Sequence, residues 1–294
     1  MSGQAATLIG SCAVLLWSTA GLFTVLSGRI PPLQLVAMTF FIGGLFVLAI
    51  AAARGRLRRT LPTRASFLLG LVGLLGNSAL FFAAIKTAPP AEANLVNYLW
   101  PLLIVLLAAL LPGGRLMPRH LTGALLGLCA SVLLLSDGGP DAGLGLGHGL
   151  AFAGALVWAG YSVLSRSLAA VPSESIALTM LGCAVPAIAL HALVETTHWS
   201  PNAWEWLGVI GLGLGANGLA MACWDIGMKR GDVALLGVVS YAAPVLSTLA
   251  LVAAGFATAG WTLALACLLI MSGALVANAR GAGFRRRARP QSAG

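Results

Sequence analysis

The two halves of this 294-residue chain echo each other at a spacing that five membrane crossings would fill. Trp17 and Pro31 recur as Trp158 and Pro172, each 141 residues further on. Lys86, Ala91, Tyr98 and Pro101 recur as Lys229, Ala234, Tyr241 and Pro244, each 143 residues further on. An odd number of crossings per copy turns the second copy upside down in the bilayer. Few folds satisfy that condition, because each surface of one copy must then pack against a partner of opposite direction.

The membrane itself follows from composition. Hydrophobic residues make up 59% of the chain, charged residues 9%, and mean hydropathy is +0.94, whereas a soluble domain carries roughly a quarter charged residues. Apolar runs of about 20 residues match the ~30 Å of hydrocarbon that a helix crosses at 1.5 Å per residue. No alternating pattern of barrel strands is present. The expected fold is an all-α integral membrane protein, with ten transmembrane helices arranged as two inverted-topology five-helix repeats around a central cavity. The predicted spans are 5–27, 33–53, 66–86, 91–111, 120–136, 146–169, 174–195, 205–228, 232–254 and 259–279. They group into a first repeat over 1–140, a second over 141–282 and a basic cytoplasmic tail over 283–294. Turn residues such as Pro31-Pro32, Pro89-Pro90 and Gly138-Gly139-Pro140 separate them. The first run lacks a basic flank and is longer than a signal-peptide core, so it is expected to remain as an anchored helix. Five isolated cysteines, none in a CxxC pair, read as small packing residues.

Charge supplies an independent test of the flipped arrangement. Of 17 lysines and arginines, all but Arg29 and Lys86 fall on one side of the predicted spans. The positive-inside rule places that side, and with it both termini, in the cytoplasm of a bacterial inner membrane. Lys86 then lies outside and its counterpart Lys229 inside, as inversion requires. The tail Phe284-Arg-Arg-Arg-Ala-Arg289 is accounted for by orientation and anionic lipid headgroups, so a nucleic-acid partner is not expected.

Inverted repeats are a building plan of secondary transporters, with the solute site near the midplane. The stretches Leu16-Trp17-Ser18-Thr19, Ala83-Ala84-Ile85-Lys86-Thr87-Ala88 through Tyr98-Leu99-Trp100-Pro101, and Asp225 through Lys229-Arg230-Gly231-Asp232 to Tyr241-Ala242-Ala243-Pro244 carry a family likeness. The chain resembles the drug/metabolite transporter superfamily in its ten-span EamA-type branch, over all but its last dozen residues. The likeness is greatest to the amino-acid exporters of that branch. It implies a basket-like bundle whose cavity faces alternately inward and outward and moves amino acids, aromatic and other neutral ones, out of the bacterial cytoplasm. Exporters of threonine, homoserine or cysteine-like metabolites, and drug exporters, are the nearer alternatives. A membrane enzyme would need clustered catalytic groups, and the chain has scattered histidines and neither HExxH nor GxSxG. Gly213-Leu-Gly215-Ala-Asn-Gly218 lies inside an apolar span with no preceding strand, so it is no nucleotide loop.

Mid-span polar and aromatic groups are the candidate site. An indole N–H or phenol O–H at membrane depth needs a partner that lipid cannot offer, so it turns inward. Trp17, Phe81, Tyr98, Trp158, Tyr161, Trp224 and Tyr241 therefore read as either packing residues or flat walls for a substrate's apolar side chain. Asn77, Asn94 and Asn217 offer both a donor and an acceptor to an amino acid's charged ends, or else bond between helices at about 0.6 kcal/mol each. Asn97 and Tyr98 are adjacent, so at most one faces the centre of the cavity. Of the charges, Asp225 sits four residues before Lys229 and is expected to pair with it. Glu92 and Lys86 lie near the outer surface as structural charges. Pro101 and Pro244, equivalent in the two repeats, are candidate hinges, and Pro186 a further helix interruption. A cofactor or metal is not expected, and ten spans suffice for a cavity within one monomer.

Overall fold

The computed structural model of the protein describes residues 2–110, 117–136, 145–168, 170–199, 202–231, 236, 239–240 and 242–278. Tyr241, the first residues of the ninth predicted span and the basic tail lie outside them. The described residues are helical, with no strand among them. In chain order the helices are α1 (Gly3–Leu26), α2 (Pro32–Ala53), α3 (Arg64–Thr87), α4 (Pro90–Asn97 and Trp100–Leu110), α5 (Pro118–Ser136), α6 (Leu146–Ser165), α7 (Ser173–Val194), α8 (Ala203–Arg230), α9 (Ala242–Ala253) and α10 (Trp261–Asn278). Six of these, α1 to α3 and α6 to α8, are long and apolar enough to cross a membrane.

Local chemistry explains where they start. Ser2 Oγ accepts from Ala5 N, Thr63 Oγ1 from Ser66 N and Asn202 Oδ1 from Trp204 N, at 3.3, 3.2 and 2.9 Å; each satisfies one of the free N–H groups of a helix start. Prolines open α2 and α4, where their missing N–H costs nothing. The carboxylate of Glu195 accepts from Leu33 N and Gln34 N at the head of α2, at 3.0 and 3.1 Å.

Two helices are interrupted midway. In α1 the break falls at Ser18–Thr19, where Ser18 Oγ and Thr19 Oγ1 donate to Val14 O and Leu16 O at 2.8 and 2.7 Å. These hydroxyls compete for carbonyls that the helix would otherwise use. In α4 the break falls at Tyr98–Leu99, immediately before Pro101, which lacks the N–H that a continuous helix would aim at Asn97 O. By contrast α7 stays one helix through Pro186. In addition α3 and α8 widen into π-helical stretches, Leu71–Leu75 and Gly211–Leu219.

The packing has an internal regularity. Helix α1 packs on α8, as α6 packs on α3; α2 packs on α7, and α5 on α10. Advancing each helix by five places maps this set of pairs onto itself. A finer correspondence involves the two lysines. Lys86 Nζ donates to Gly28 O at 2.7 Å, and Lys229 Nζ to Val171 O at 2.6 Å. Donor and acceptor lie 58 residues apart in each case. Gly28, at φ 57°, closes α1 in the left-handed region and leaves room for the Glu205 side chain beside it.

Close approaches rely on glycine pairs. A Cβ on Gly227 of α8 would lie 2.7 Å from the Gly10 Cα of α1, and one on Gly43 of α2 would lie 2.6 Å from Gly213 O of α8. Without side chains at these crossings the backbones meet directly. The buried interior they create includes Phe40, Met180, Leu212 and Leu236. Outward-facing side chains are apolar as well, Leu193 and Val72 among them, a surface suited to lipid rather than water. Trp199, Trp204, Trp206 and Trp261 are exposed at helix ends, as expected of an aromatic belt.

Candidate functional site

A cavity of about 70 Å³ occupies the place where the interruptions converge. Helix α1 brings Trp17 and Ala20 to it; α3 brings Asn77, Ser78, Phe81 and Phe82; α4 brings Asn94, Asn97, Tyr98 and Trp100. Helix α6 adds Trp158, and the π-helical part of α8 adds Leu212, Ala216 and Asn217. Irregular backbone at membrane depth is tolerated where it lines such a cavity, because its freed carbonyls can find donors there. They do: Trp17 Nε1 donates to Ala216 O at 3.0 Å, and Tyr98 Oη to Trp17 O at 3.4 Å. The breaks and the aromatic donors that cap them are thus one construction.

The tryptophans form a contiguous cluster. Trp17 meets Trp224, Trp158 and Trp100 with ring centroids 5.1, 5.5 and 6.4 Å apart, and Trp100 meets Trp224 at 5.9 Å. Most of these contacts are edge-on, the geometry that aromatic quadrupoles favour. Trp158 continues into Tyr161, stacked at 5.3 Å.

The asparagines divide by their partners. Asn94 Nδ2 donates to Ser247 Oγ of α9 at 2.7 Å, Asn217 Nδ2 to Thr39 Oγ1 of α2 at 2.9 Å, and Asn97 Nδ2 to Ala151 O of α6 at 3.2 Å. Only Asn77 of the four has no protein hydrogen bond among the described residues. Its amide keeps both donor and acceptor for a ligand.

Seven of the expected residues therefore share the cavity: Trp17, Asn77, Phe81, Asn94, Tyr98, Trp158 and Asn217. Trp224 stands behind Trp17 and Trp100 instead, and Tyr161 lines a second, smaller cavity of about 40 Å³. The reason is axial height: Tyr161 follows Trp158 by about 4.5 Å along α6 at 1.5 Å per residue, enough to pass below the cluster. Trp100, Phe82 and Ser78 were not anticipated as lining. For Trp100 the signal was available, since it adjoins the helix-breaking Pro101.

The charged groups sit away from this centre. Lys229 Nζ and Asp225 Oδ2 pair at 2.7 Å, and both line the second cavity. Glu92 Oε2 meets His148 Nε2 at 3.0 Å, a partner that lies far off in sequence. Lys86 reaches Ser27 Oγ at 3.1 Å. Pro101 and Pro244 are both buried, in α4 and α9.

A multi-pass helical bundle, with broken and widened helices around a polar and aromatic cavity, has the form of a membrane solute carrier. The chain belongs to the EamA-like transporter family, which it matches twice, over residues 4–136 and 145–279. It is 51% identical to a protein of Ancylobacter novellus named aromatic amino acid exporter YddG, over 94% of this chain and 98% of that one. It is 31% identical to a protein of the same name from Salmonella typhimurium, covering 84% and 88%. A crystal structure of a protein 49% identical in sequence superimposes with a TM-score of 0.76, covering 94% of this chain and 98% of the other.

Proposed function

We propose that this chain exports amino acids, aromatic and other neutral ones, from the bacterial cytoplasm by alternating access around the tryptophan-lined cavity. The reading is carried by one observation: ring faces and a single uncommitted amide, Asn77, meet in the same space. Flat apolar walls suit an aromatic side chain, with offset ring pairs adding roughly 0.5–1.5 kcal/mol beyond area burial. The amide offers a donor to a carboxylate and an acceptor to an ammonium. The relatives named as aromatic amino acid exporters point the same way.

The architecture behind it is ten spans in two inverted repeats, 1–140 and 141–282, followed by the cytoplasmic tail 283–294. The self-mapping helix pairs and the matching Lys86 and Lys229 bonds support it. So does the charge asymmetry, which puts both termini in the cytoplasm and the chain in the inner membrane. The cavity is lined from α1, α3, α4, α6 and α8 of a single chain, which supports transport by a monomer. A lipophilic-cation exporter would want a free acid in that space. Asp225, the obvious candidate, is paired with Lys229 elsewhere.

Uptake of labelled phenylalanine, tryptophan, threonine and a lipophilic cation by proteoliposomes tests the reading. Phenylalanine and tryptophan are expected to be carried, threonine weakly, the cation not at all; transport of the cation alone overturns it. Within that assay Asn77→Ala should raise the phenylalanine KM by about tenfold or more, since hydrogen bonds to charged groups contribute ~1.5–3 kcal/mol, at unchanged thermal stability. An unchanged KM would remove Asn77 from the site. As hinges, Pro101 and Pro244 would allow bending by leaving helix bonds unmade. The double Pro→Ala variant should therefore slow turnover several-fold with little change in KM. Wild-type turnover would end the hinge assignment.

A further inference from the structure

Away from the tryptophan cluster, the polar and aromatic side chains of the second cavity include Tyr161, Ser165, Ser173, Thr179, Asp225 and Lys229. It lies one step along the same helices. On α8, Met221 lines the first cavity and Asp225 the second, about 6 Å apart at 1.5 Å per residue. On α6, Trp158 lines the first and Tyr161, stacked on it, the second. The rings thus stand between two chambers on one path.

The ion pair in this chamber is incompletely satisfied. Lys229 has three N–H donors; one goes to Val171 O at 2.6 Å, while Asp225 Oδ2 stands 2.7 Å from Nζ as an ion-pair partner and, buried, accepts no hydrogen bond. Among the described residues Lys229 donates to no second acceptor, Asp225 has no partner but the Lys229 charge, and the Tyr161 hydroxyl makes no hydrogen bond. An acid and a base at this depth are costly to keep unless paired or used. Here they are paired, yet each retains bonding capacity facing a space of about 40 Å³, room for a few waters that a charged headgroup would displace.

We propose that Asp225 and Lys229 form an entry site for the zwitterionic headgroup of an α-amino acid, whose side chain is admitted as Tyr161 moves off Trp158, on the cytoplasmic side of the tryptophan cluster. The proposal rests on the exporter reading and deepens it. A zwitterion carries its ammonium and carboxylate on one carbon. It can dock antiparallel to the Asp225–Lys229 dipole, so that opposite charges alternate and no net charge is buried. A molecule with one charge would leave one member of the pair opposed by nothing. Passage to the first cavity then requires only that Tyr161 and Trp158 part, with the substrate ring sliding from one face to the next.

The test uses the full chain in proteoliposomes and three probes with the same ring: phenylalanine, phenethylamine with the ammonium alone, and 3-phenylpropionate with the carboxylate alone. Each is titrated against uptake of labelled phenylalanine. For the unmodified protein, phenylalanine is expected to compete at least tenfold better than either single-charge probe. Asp225→Asn should weaken phenylalanine and phenethylamine by about tenfold while leaving 3-phenylpropionate unchanged. Lys229→Gln should weaken phenylalanine and 3-phenylpropionate and spare phenethylamine. A pair that only clasps the helix would change all three probes in parallel or none, and either result overturns the proposal.

Should both variants fail to fold, Ser173→Cys, with the ion pair intact, supplies a second measurement. Saturating phenylalanine should slow its alkylation by a water-soluble maleimide at least several-fold, and the single-charge probes should not. An unchanged rate overturns the entry site. If the unmodified protein takes up neither phenylalanine nor tryptophan, it is the exporter reading that fails. Uptake with unaltered probe ratios and no protection defeats the entry site alone.

Discussion

Gly227→Leu should leave no folded protein recoverable from the membrane. At this crossing α1 and α8 touch through their backbones: a Cβ on Gly227 would stand 2.7 Å from Gly10 Cα and 2.9 Å from a Leu236 methyl. Leucine adds three further carbons beyond that Cβ, and Gly10 has no side chain that can swing away. Relief requires the two helices to separate, which also withdraws Trp17 from Ala216 O and displaces the π-helical stretch behind it. Overpacking by even one or two methylenes costs typically 1–3 kcal/mol, and a whole domain has only about 5–15 kcal/mol to lose. The measurement is the monodisperse fraction in size-exclusion chromatography and the thermal unfolding midpoint in detergent. Gly160→Ala on α6 is the matched control, since a Cβ there meets nothing within 4 Å. It should be neutral or stabilising by up to about 1 kcal/mol, as alanine favours helix over glycine. A stable Gly227→Leu variant would show that the α1–α8 contact is not as close as described.

Trp17→Ala is the second large effect, and it should strike transport as well as stability. The ring contacts Trp100, Trp158 and Trp224, and its N–H holds a carbonyl freed by the widened α8. Truncating a fully buried tryptophan typically costs about 3–5 kcal/mol; Trp17 is partly buried, so the loss should fall below that range and the unfolding midpoint should drop by several degrees. The void would enlarge the first cavity and free the rings packed on Trp17, and phenylalanine uptake per folded molecule should drop more than tenfold. Trp17→Phe keeps a ring face and loses the hydrogen bond, worth about 0.5–1.5 kcal/mol. It should sit between the two in both measurements. Wild-type uptake by Trp17→Ala would exclude Trp17 as a wall of the substrate cavity.

Much of the cavity is legible from the linear chain, for a physical reason. Trp17, Asn77, Phe81, Asn94, Tyr98, Trp158 and Asn217 all sit mid-span. A polar or large aromatic group there has no acceptable neighbour in lipid, so its direction is settled before any packing is known. The pairing of Asp225 with Lys229 is legible for a similar reason, because four residues make one helical turn. Less visible is the break in α1. It arises from two hydroxyls, Ser18 and Thr19, bonding back to Val14 and Leu16, with no proline to announce it. Height along the bundle is also hidden: Tyr161 and Trp224 turn inward as expected, yet one passes into the second cavity and the other stands behind Trp17. The Glu92–His148 contact joins residues 56 apart, a distance at which helical periodicity says nothing.

By itself the chain determined that it lives in a membrane and which family it belongs to. Both follow from apolar runs too long and too free of charge for water, and from motifs local enough to read in order. Only the tertiary structure decided which asparagine remains open to a ligand. Asn94, Asn97 and Asn217 find Ser247, Ala151 and Thr39 on other helices, and Asn77 finds none among the described residues. A hydrogen bond forms or fails over a few tenths of an ångström between helices. That spacing is set by glycine crossings such as Gly10 with Gly227, long after each residue's preference for the interior has been satisfied.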